Sequence, residues 1–191
     1  MTDSTTPDRG GKRERLTASA GDLLHRQGVA ATTLTQVAQA ADVPPGNVYY
    51  YFKTKDDLVR AVIDARAEQV RALLDTLRTQ PGPAVRLKAL ARQWAEMRDL
   101  VARYGCPFGT LATELDRRDD GLDLEAAKPI ALILDWAEAQ FRELGRSDPR
   151  ELAVTLFSGI QGAALLANAL RDPDLMAGQV AHLERWIDSV A

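Results

Sequence analysis

Residues 32–59, TTLTQVAQAADVPPGNVYYYFKTKDDLV, carry two short helical patterns separated by a tight turn. The first pattern begins at Thr33, a good N-cap, and Gln36 stands three residues later, as a capping box requires. The second runs over 45–51, where proline suits the first turn because that turn's N–H groups lack helical partners. Two short helices joined by a turn at 42–44, after one longer helix, predict a helix-turn-helix domain.

The three consecutive tyrosines at 49–51 lie on the second of these helices. Val48 is expected to point into the core, and a seven-residue helix has only one buried stripe. We therefore expect Tyr49 and Tyr50 to be exposed, whereas Tyr51 and Phe52 are at least as consistent with packing. Exposed phenols suit DNA because the hydroxyl donates to phosphate and the ring packs on sugar or thymine methyl. The lysines that follow, Lys53 and Lys55, add positive charge for the same backbone.

Helical periodicity extends over nearly the whole chain, and alternating β patterns are almost absent. The spacing predicts nine helices in an all-α fold: 12–27, 34–41, 45–51, 54–77, 84–103, 110–116, 124–144, 148–170 and 173–189. We expect a disordered arm over 1–11, a helix-turn-helix domain over 12–54 and a larger helical domain over 55–191.

Composition limits the class of protein. The chain has 191 residues, of which 46% are hydrophobic, so a substantial core is possible. The single cysteine excludes an internal disulfide framework and fits a reducing compartment. No apolar run approaches 18 residues, and the first eleven residues have no apolar segment typical of a secretory signal. These features predict a cytoplasmic protein with no membrane partner.

Charge is unevenly distributed along the chain. Residues 1–60 contain eight Lys/Arg and seven Asp/Glu, a net of +1, whereas the remainder has a net charge of −4. The asymmetry is modest, and it favours an anionic partner for the first third only.

The motif in 32–59 resembles the N-terminal signature of tetracycline-repressor (TetR) family regulators. The resemblance implies a nine-helix all-α fold in which a three-helix DNA-binding domain precedes a ligand-binding and dimerisation domain. It also implies a double-stranded DNA operator, a small-molecule inducer and a homodimer. By position, it assigns operator contacts to Thr33, Thr35, Pro45, Asn47, Tyr49, Tyr50 and Lys55.

Two positions depart from the family pattern. The family usually has glycine in the turn where this chain has Asp42, which accepts a left-handed conformation less readily than glycine. Pro44 replaces a residue that often caps the reading helix, so water or a phosphate is left to satisfy that helix's first N–H groups.

The segment 105–115, GCPFGTLATEL, resembles a motif in the branch that includes the lincomycin-resistance repressor, which implies a small-molecule-responsive repressor. Aromatic and thioether side chains on several predicted helices could form an apolar pocket, although at helical spacing they equally suit an ordinary core. Gln161 and Asn168 are polar residues on an apolar helix, where they either orient a ligand or bond across a subunit interface. The expected ligand residues are Trp94, Met97, Tyr104, Cys106, Phe108, Trp136, Phe157 and Gln161.

The last two predicted helices are candidates for a dimer interface. Small residues on the first let helices approach closely, and apolar residues on the second recur at a/d-like spacing. Together they could form an intersubunit four-helix bundle, or they could simply cover the monomer core. The expected interface residues are Gly159, Ala163, Leu183, Trp186 and Ile187.

No catalytic constellation is visible in the sequence, so we expect no enzyme activity and no cofactor. His25 and His182 are isolated from other metal-ligand types, which argues against a metal site. Two alternatives to a ligand-responsive repressor stay open. One is a redox- or electrophile-responsive regulator switched at Cys106, and the other is an all-α protein-interaction adaptor that no longer binds DNA.

Overall fold

The computed structural model describes residues 9–191, with side chains from residue 11 onward, and all regular secondary structure in that range is helical. This confirms the predicted all-α class. The helices are α1 (Arg9–Ala31), α2 (Leu34–Ala40), α3 (Pro45–Tyr51), α4 (Lys55–Arg78), α5 (Pro83–Glu96), α6 (Arg98–Tyr104), α7 (Gly109–Leu115), α8 (Leu122–Ala126), α9 (Lys128–Glu143), α10 (Pro149–Leu170) and α11 (Pro173–Val190).

The chain divides into two compact units after Ala65, and α4 contributes residues to both. The expected boundary after residue 54 coincides with the start of α4. Of the predicted disordered arm, residues 1–8 lie outside the described residues. The first helix begins at Arg9, three residues before its expected start.

The first unit has a small core built by α1 to α4. Leu16, Val37, Val48 and Phe52 are all almost fully buried in it. Gly28, with φ 81 and ψ 170, interrupts α1 at the place where the sequence predicts that the first helix ends.

Asp42, in the turn between α2 and α3, has a positive φ of 52. This residue adopts the left-handed conformation for which the family usually uses glycine. Val43, next to it, is buried and fills the space between the two helices.

The second unit is built around α10, which packs against α5, α6, α9 and α11. Eight residues of α10 are buried. Within the described residues, α10 is the one helix that is long and apolar enough to cross a membrane. Its position as the central helix of this unit accounts for that composition, because it contributes core residues to four neighbours.

Within residues 9–191 there are eleven helices where the sequence predicts nine, because two of the predicted long helices are each divided. Met97, with φ −97 and ψ 17, separates α5 from α6, and nothing in the structure explains that break. Ala127 separates α8 from α9, where Pro129 follows. Proline has no N–H to donate to the preceding turn, so it suits the first turn of a new helix.

Candidate DNA-contact surface and ligand cavity

The helix α3 presents the phenol rings to solvent. Val48 is its one buried residue, whereas Tyr49 is 52% exposed and Tyr50 is 60% exposed. Tyr51 is half-buried, and its ring meets that of Tyr50 edge to face at 5.2 Å. The short length of α3 explains this pattern, because a seven-residue helix has one buried stripe. Val48 occupies that stripe, so Tyr49 and Tyr50 lie outside the core.

The start of α2 is fixed by a reciprocal cap. The Thr33 hydroxyl oxygen accepts the Gln36 N–H at 3.2 Å, and Gln36 Oε1 accepts the Thr33 N–H at 2.9 Å. The Thr33 hydroxyl also lies 3.1 Å from Gln36 Oε1, so its proton is directed into the cap. This leaves Thr33 without a hydroxyl proton for a phosphate, whereas Thr35 is exposed on the same short helix.

Lys55 is placed at the first turn of α4, beside the tyrosine helix in sequence. A second reciprocal cap starts α4: Asp57 N–H donates to the Thr54 hydroxyl, and Thr54 N–H donates to the Asp57 carboxylate, both at 3.0 Å. Lys55 is half-buried, and its ammonium donates to the Ala30 carbonyl at 3.3 Å. The ammonium keeps two further protons that can reach an anion.

The expected DNA-contact residues therefore fall within one short part of the first unit, from the cap of α2 to the first turn of α4. All except Lys55 are exposed: Thr33, Thr35, Pro45, Asn47, Tyr49 and Tyr50. Tyrosine hydroxyls, an asparagine amide and a lysine provide donors for phosphate oxygens and base edges.

The second unit contains a cavity of about 520 Å³ between two helices. One wall carries Cys106 and Gln161, and Gln161 Nε2 lies 3.4 Å from the Cys106 sulfur. A Cβ atom at Gly109 would lie 2.7 Å from Gln161 Oε1, so glycine is what allows that amide to approach α7. The lining residues are Gly105, Cys106, Gly109, Thr110, Thr113, Glu114, Gln161, Ala164, Leu165 and Asn168.

Several hydrogen-bond donors of this cavity are already engaged. The Thr110 hydroxyl donates to the Cys106 carbonyl at 2.8 Å, and the Thr113 hydroxyl donates to the Gly109 carbonyl at 2.9 Å. Asn168 Nδ2 donates to the Ala102 carbonyl at 3.1 Å. Oxygen acceptors consequently dominate the polar part of the lining, and each amide keeps one N–H. Such a lining suits a ligand that combines an apolar body with hydrogen-bond donors.

Two family models match most of the chain. The model described as bacterial regulatory proteins, tetR family, matches residues 16–62, and the tetracyclin repressor-like C-terminal domain matches residues 83–183. The chain belongs to the TetR family. It is a DNA-binding transcriptional regulator, not an enzyme, and its N-terminal helix-turn-helix is followed by a helical C-terminal domain.

Relatives and solved structures agree with this TetR assignment. An uncharacterized HTH-type transcriptional regulator of Mycobacterium tuberculosis is 30% identical over 188 residues, covering 91% of this chain and 94% of the relative. The HTH-type transcriptional repressor NemR of Escherichia coli is 24% identical over 195 residues, covering 94% and 95%. The crystal structure of a regulatory protein TetR from Rhodobacter sphaeroides superposes with a TM-score of 0.80 at 26% identity, covering 91% and 97%.

The structure brings together only two of the eight residues expected to bind a ligand, Cys106 and Gln161. Trp94 instead packs edge to face on Phe157 at 5.6 Å and on Phe108 at 6.4 Å, so these rings stabilise one another as core. Both phenylalanine rings are in contact with Trp94, and the expected aromatic ligand pocket stays a prediction. The remaining three residues, Met97, Tyr104 and Trp136, do not line this cavity either.

Trp136 lines a second cavity, of about 710 Å³, with residues of α4, α5 and α9. Its walls are strongly charged, and their arginines are paired: Arg71 with Glu68, Arg78 with Asp75 and Arg86 with Glu143. These pairs make the second cavity a poorer match to an apolar ligand than the cavity at Cys106.

The residues expected at the TetR dimer interface make contacts within their own chain. Leu183, Ile187 and Ala163 are at most 6% exposed, and a Cβ at Gly159 would lie 3.1 Å from Leu183 Cδ2. The fifth, Trp186, packs its ring on that of Phe141 at 5.9 Å. The apolar stripe of α11 is thus used within the monomer, and the expected interface residues stay a prediction.

The described residues form no cluster of metal-ligating side chains. Among the described residues no group of three or more His, Cys, Asp and Glu side chains is placed to hold a metal ion. A hydrogen bond from the Arg118 guanidinium lowers the pKa of Asp120. The Asp120 carboxylate also accepts a hydrogen bond from the Leu122 N–H at the start of α8. Asp120 has a structural role in that loop.

Proposed function

We propose that this TetR-family regulator is a repressor that binds a palindromic operator as a homodimer and is released by a small molecule. The observation that carries the proposal is the exposed pair Tyr49 and Tyr50 on α3, in a chain whose second unit holds an acceptor-rich cavity. A relative named as a repressor supports repression over activation. A regulator that binds chromosomal DNA acts in the cytoplasm.

The ligand cavity that we propose lies between α7 and α10. Its acceptors and its apolar residues Ala164 and Leu165 favour a small ligand with an apolar body and hydroxyl or amine donors. This proposal keeps the apolar character expected from the sequence and adds the hydrogen-bond donors. The lincomycin-resistance-repressor-like branch stays a prediction that rests on the motif at 105–115.

The subunit interface that we propose uses the exposed side of α10. Apolar residues there are 42–69% exposed, which is unusual for large aliphatic side chains on one helix. A two-fold interface of this kind places the same patch of both subunits in contact. The residues are Val154, Leu165, Leu166 and Leu170.

The test of the proposed function has two steps. The DNA upstream of the gene is titrated with protein in a gel-shift assay, and small molecules with amine or hydroxyl donors are then screened for release of the complex. Gln161→Leu should bind DNA normally but respond less to a releasing compound, because the cavity loses a polar wall. Gln80→Leu, an exposed change after α4, should respond like wild type. Operator binding that no compound releases, or an unchanged response in Gln161→Leu, would contradict the assignment.

A redox-responsive regulator is a second candidate because Cys106 lines the cavity and its sulfur accepts a hydrogen bond from Gln161. Its burial limits access of an oxidant. Cys106→Ser separates the two candidates: unchanged release by a ligand, together with operator binding that peroxide does not alter in wild type, removes the redox candidate. The adaptor alternative has no support in a family of DNA-binding regulators.

A further inference from the structure

Arg66 is the one charged residue that is buried among the described residues, with 7% of its surface exposed. A buried guanidinium is costly unless its N–H groups find acceptors. Its Nη1 donates to the Pro107 carbonyl at 2.5 Å. Both residues belong to the second unit, and Arg66 lies on α4. The bond therefore ties α4 to the loop that joins α6 to α7.

This loop, residues 105–108, is also part of the cavity wall. Cys106 lines the cavity and accepts the hydrogen bond from Gln161, and Pro107 follows directly. The loop path is tightly set, since Gly105 has φ 83 and a Cβ there would lie 2.4 Å from Thr110 Cγ2. A ligand that displaces Gln161 from Cys106 acts on this loop. The carbonyl of the next residue, Pro107, accepts the hydrogen bond from Arg66.

We propose that Arg66 is the positioning residue through which occupation of the cavity is communicated to α4 and so alters operator affinity. This inference rests on the proposed function. The helix α4 starts at Lys55, in the unit that carries the helix-turn-helix, and continues through Arg66 into the second unit. When the loop shifts, we expect the guanidinium to follow the Pro107 carbonyl, because losing this acceptor at a buried charge is unfavourable.

Thermodynamic reciprocity gives a test that needs no known ligand. If occupation of the cavity changes operator affinity, operator binding must also change the affinity of the cavity for its ligand, and we expect that change to involve the cavity wall. Cys106 is the single cysteine of the chain and lines the cavity, so its alkylation rate reports on that wall. The rate with N-ethylmaleimide is followed by intact mass, for protein alone, with saturating operator DNA and with scrambled DNA.

In wild type, operator should change the Cys106 alkylation rate by about fivefold or more, the lower end of the usual range for allosteric coupling. In Arg66→Met the change should fall to less than about twofold, while operator is still bound. Arg71→Met is the matched control, because Arg71 is an exposed arginine on the same helix, paired with Glu68 at 3.1 Å. It should retain the wild-type change.

Arg66→Lys keeps a cationic donor of different length, so operator should change its Cys106 alkylation rate by an intermediate factor. This variant replaces Arg66→Met if the methionine variant does not fold. The inference is overturned if Arg66→Met, or Arg66→Lys in its place, retains the full wild-type change, or if Arg71→Met loses as much. It is also overturned if wild type binds operator with no change in alkylation rate. Failure of wild type to bind operator at all would instead refute the proposed function, and the inference with it.

Discussion

At the scale of single residues, Tyr49 and Tyr50 are exposed on α3 because a seven-residue helix can bury little more than Val48. The left-handed conformation of Asp42, with φ 52, agrees with the glycine that the family resemblance implies at this position. The bond between Lys55 and the Ala30 carbonyl was not predictable, because it joins residues 25 positions apart. Long-range side-chain contacts of this kind depend on the packing of α1, which periodicity does not specify.

Tyr49→Phe removes one hydroxyl and leaves the ring. If that hydroxyl meets a phosphate, operator binding should weaken by about 0.5–1.5 kcal/mol. Fluorescence anisotropy at fixed salt measures the difference, and Tyr51→Phe is the control because Tyr51 is half-buried. Equal loss in both variants would indicate that the exposed face has no special part in binding.

Lys55→Ala tests the phosphate contact at the start of α4. Removing one phosphate contact should weaken binding to all sequences alike and reduce the slope of log K against log salt by about one unit. Lys128→Ala is the control, since Lys128 is exposed in the second unit. If Lys55→Ala keeps the wild-type slope of log K against log salt, Lys55 does not contact phosphate and its function is the structural bond to the Ala30 carbonyl.

At the scale of helices, caps and periodicity located the elements well, but they did not show which sides of the helices meet. Cys106, Gly109, Thr110 and Thr113 recur at i, i+3, i+4 and i+7 along the cavity wall. Gln161, Ala164, Leu165 and Asn168 repeat the same spacing on α10. These two matched stripes were a usable signal for the cavity. The large aromatic residues are the more conspicuous feature of the sequence, although burial in a core is the commoner fate of such rings.

The cap of α2 gives a prediction for stability. Thr33→Ala should lower the free energy of unfolding by roughly 0.5–2 kcal/mol, because the Gln36 N–H loses its acceptor. Thr33→Ser keeps the hydroxyl and should stay close to wild type. Urea denaturation measures both, and equal stability of the alanine and serine variants would show that the cap contributes little.

Substitutions on the buried side of α11 and on the exposed side of α10 should distinguish a loss of stability from a loss of dimerisation. Ile187→Glu places an unpaired charge in the core and should lower the free energy of unfolding by about 3–5 kcal/mol, since Ile187 is fully buried. Leu166→Glu, on the exposed side of α10, should leave the fold intact and yield monomers in sedimentation. A dimer that persists in Leu166→Glu would exclude this side of α10 as the interface.

At the scale of the whole molecule, the family assignment joins a helix-turn-helix domain and a helical C-terminal domain in one chain. A homodimer with two reading helices should recognise half-sites about one helical turn apart, roughly 34–36 Å. To lower operator affinity a hundredfold, a ligand needs a coupling free energy of about 2.7 kcal/mol. The sequence could not identify the ligand, because cavity shape and the use of its hydrogen-bond donors emerge only when α7 and α10 are packed together.

Operator titration at fixed salt tests the central claim most directly, namely that the tyrosine face of α3 reads DNA. Wild type is compared with the Tyr49→Phe, Tyr50→Phe double variant on the upstream fragment and on a scrambled fragment. Wild type should bind the upstream fragment at least about a thousandfold tighter than the scrambled one. The double variant should lose about thirtyfold in affinity for the upstream fragment, as expected for two hydroxyls at about 1 kcal/mol each. Equal binding of both fragments by wild type, or wild-type affinity in the double variant, would contradict the account.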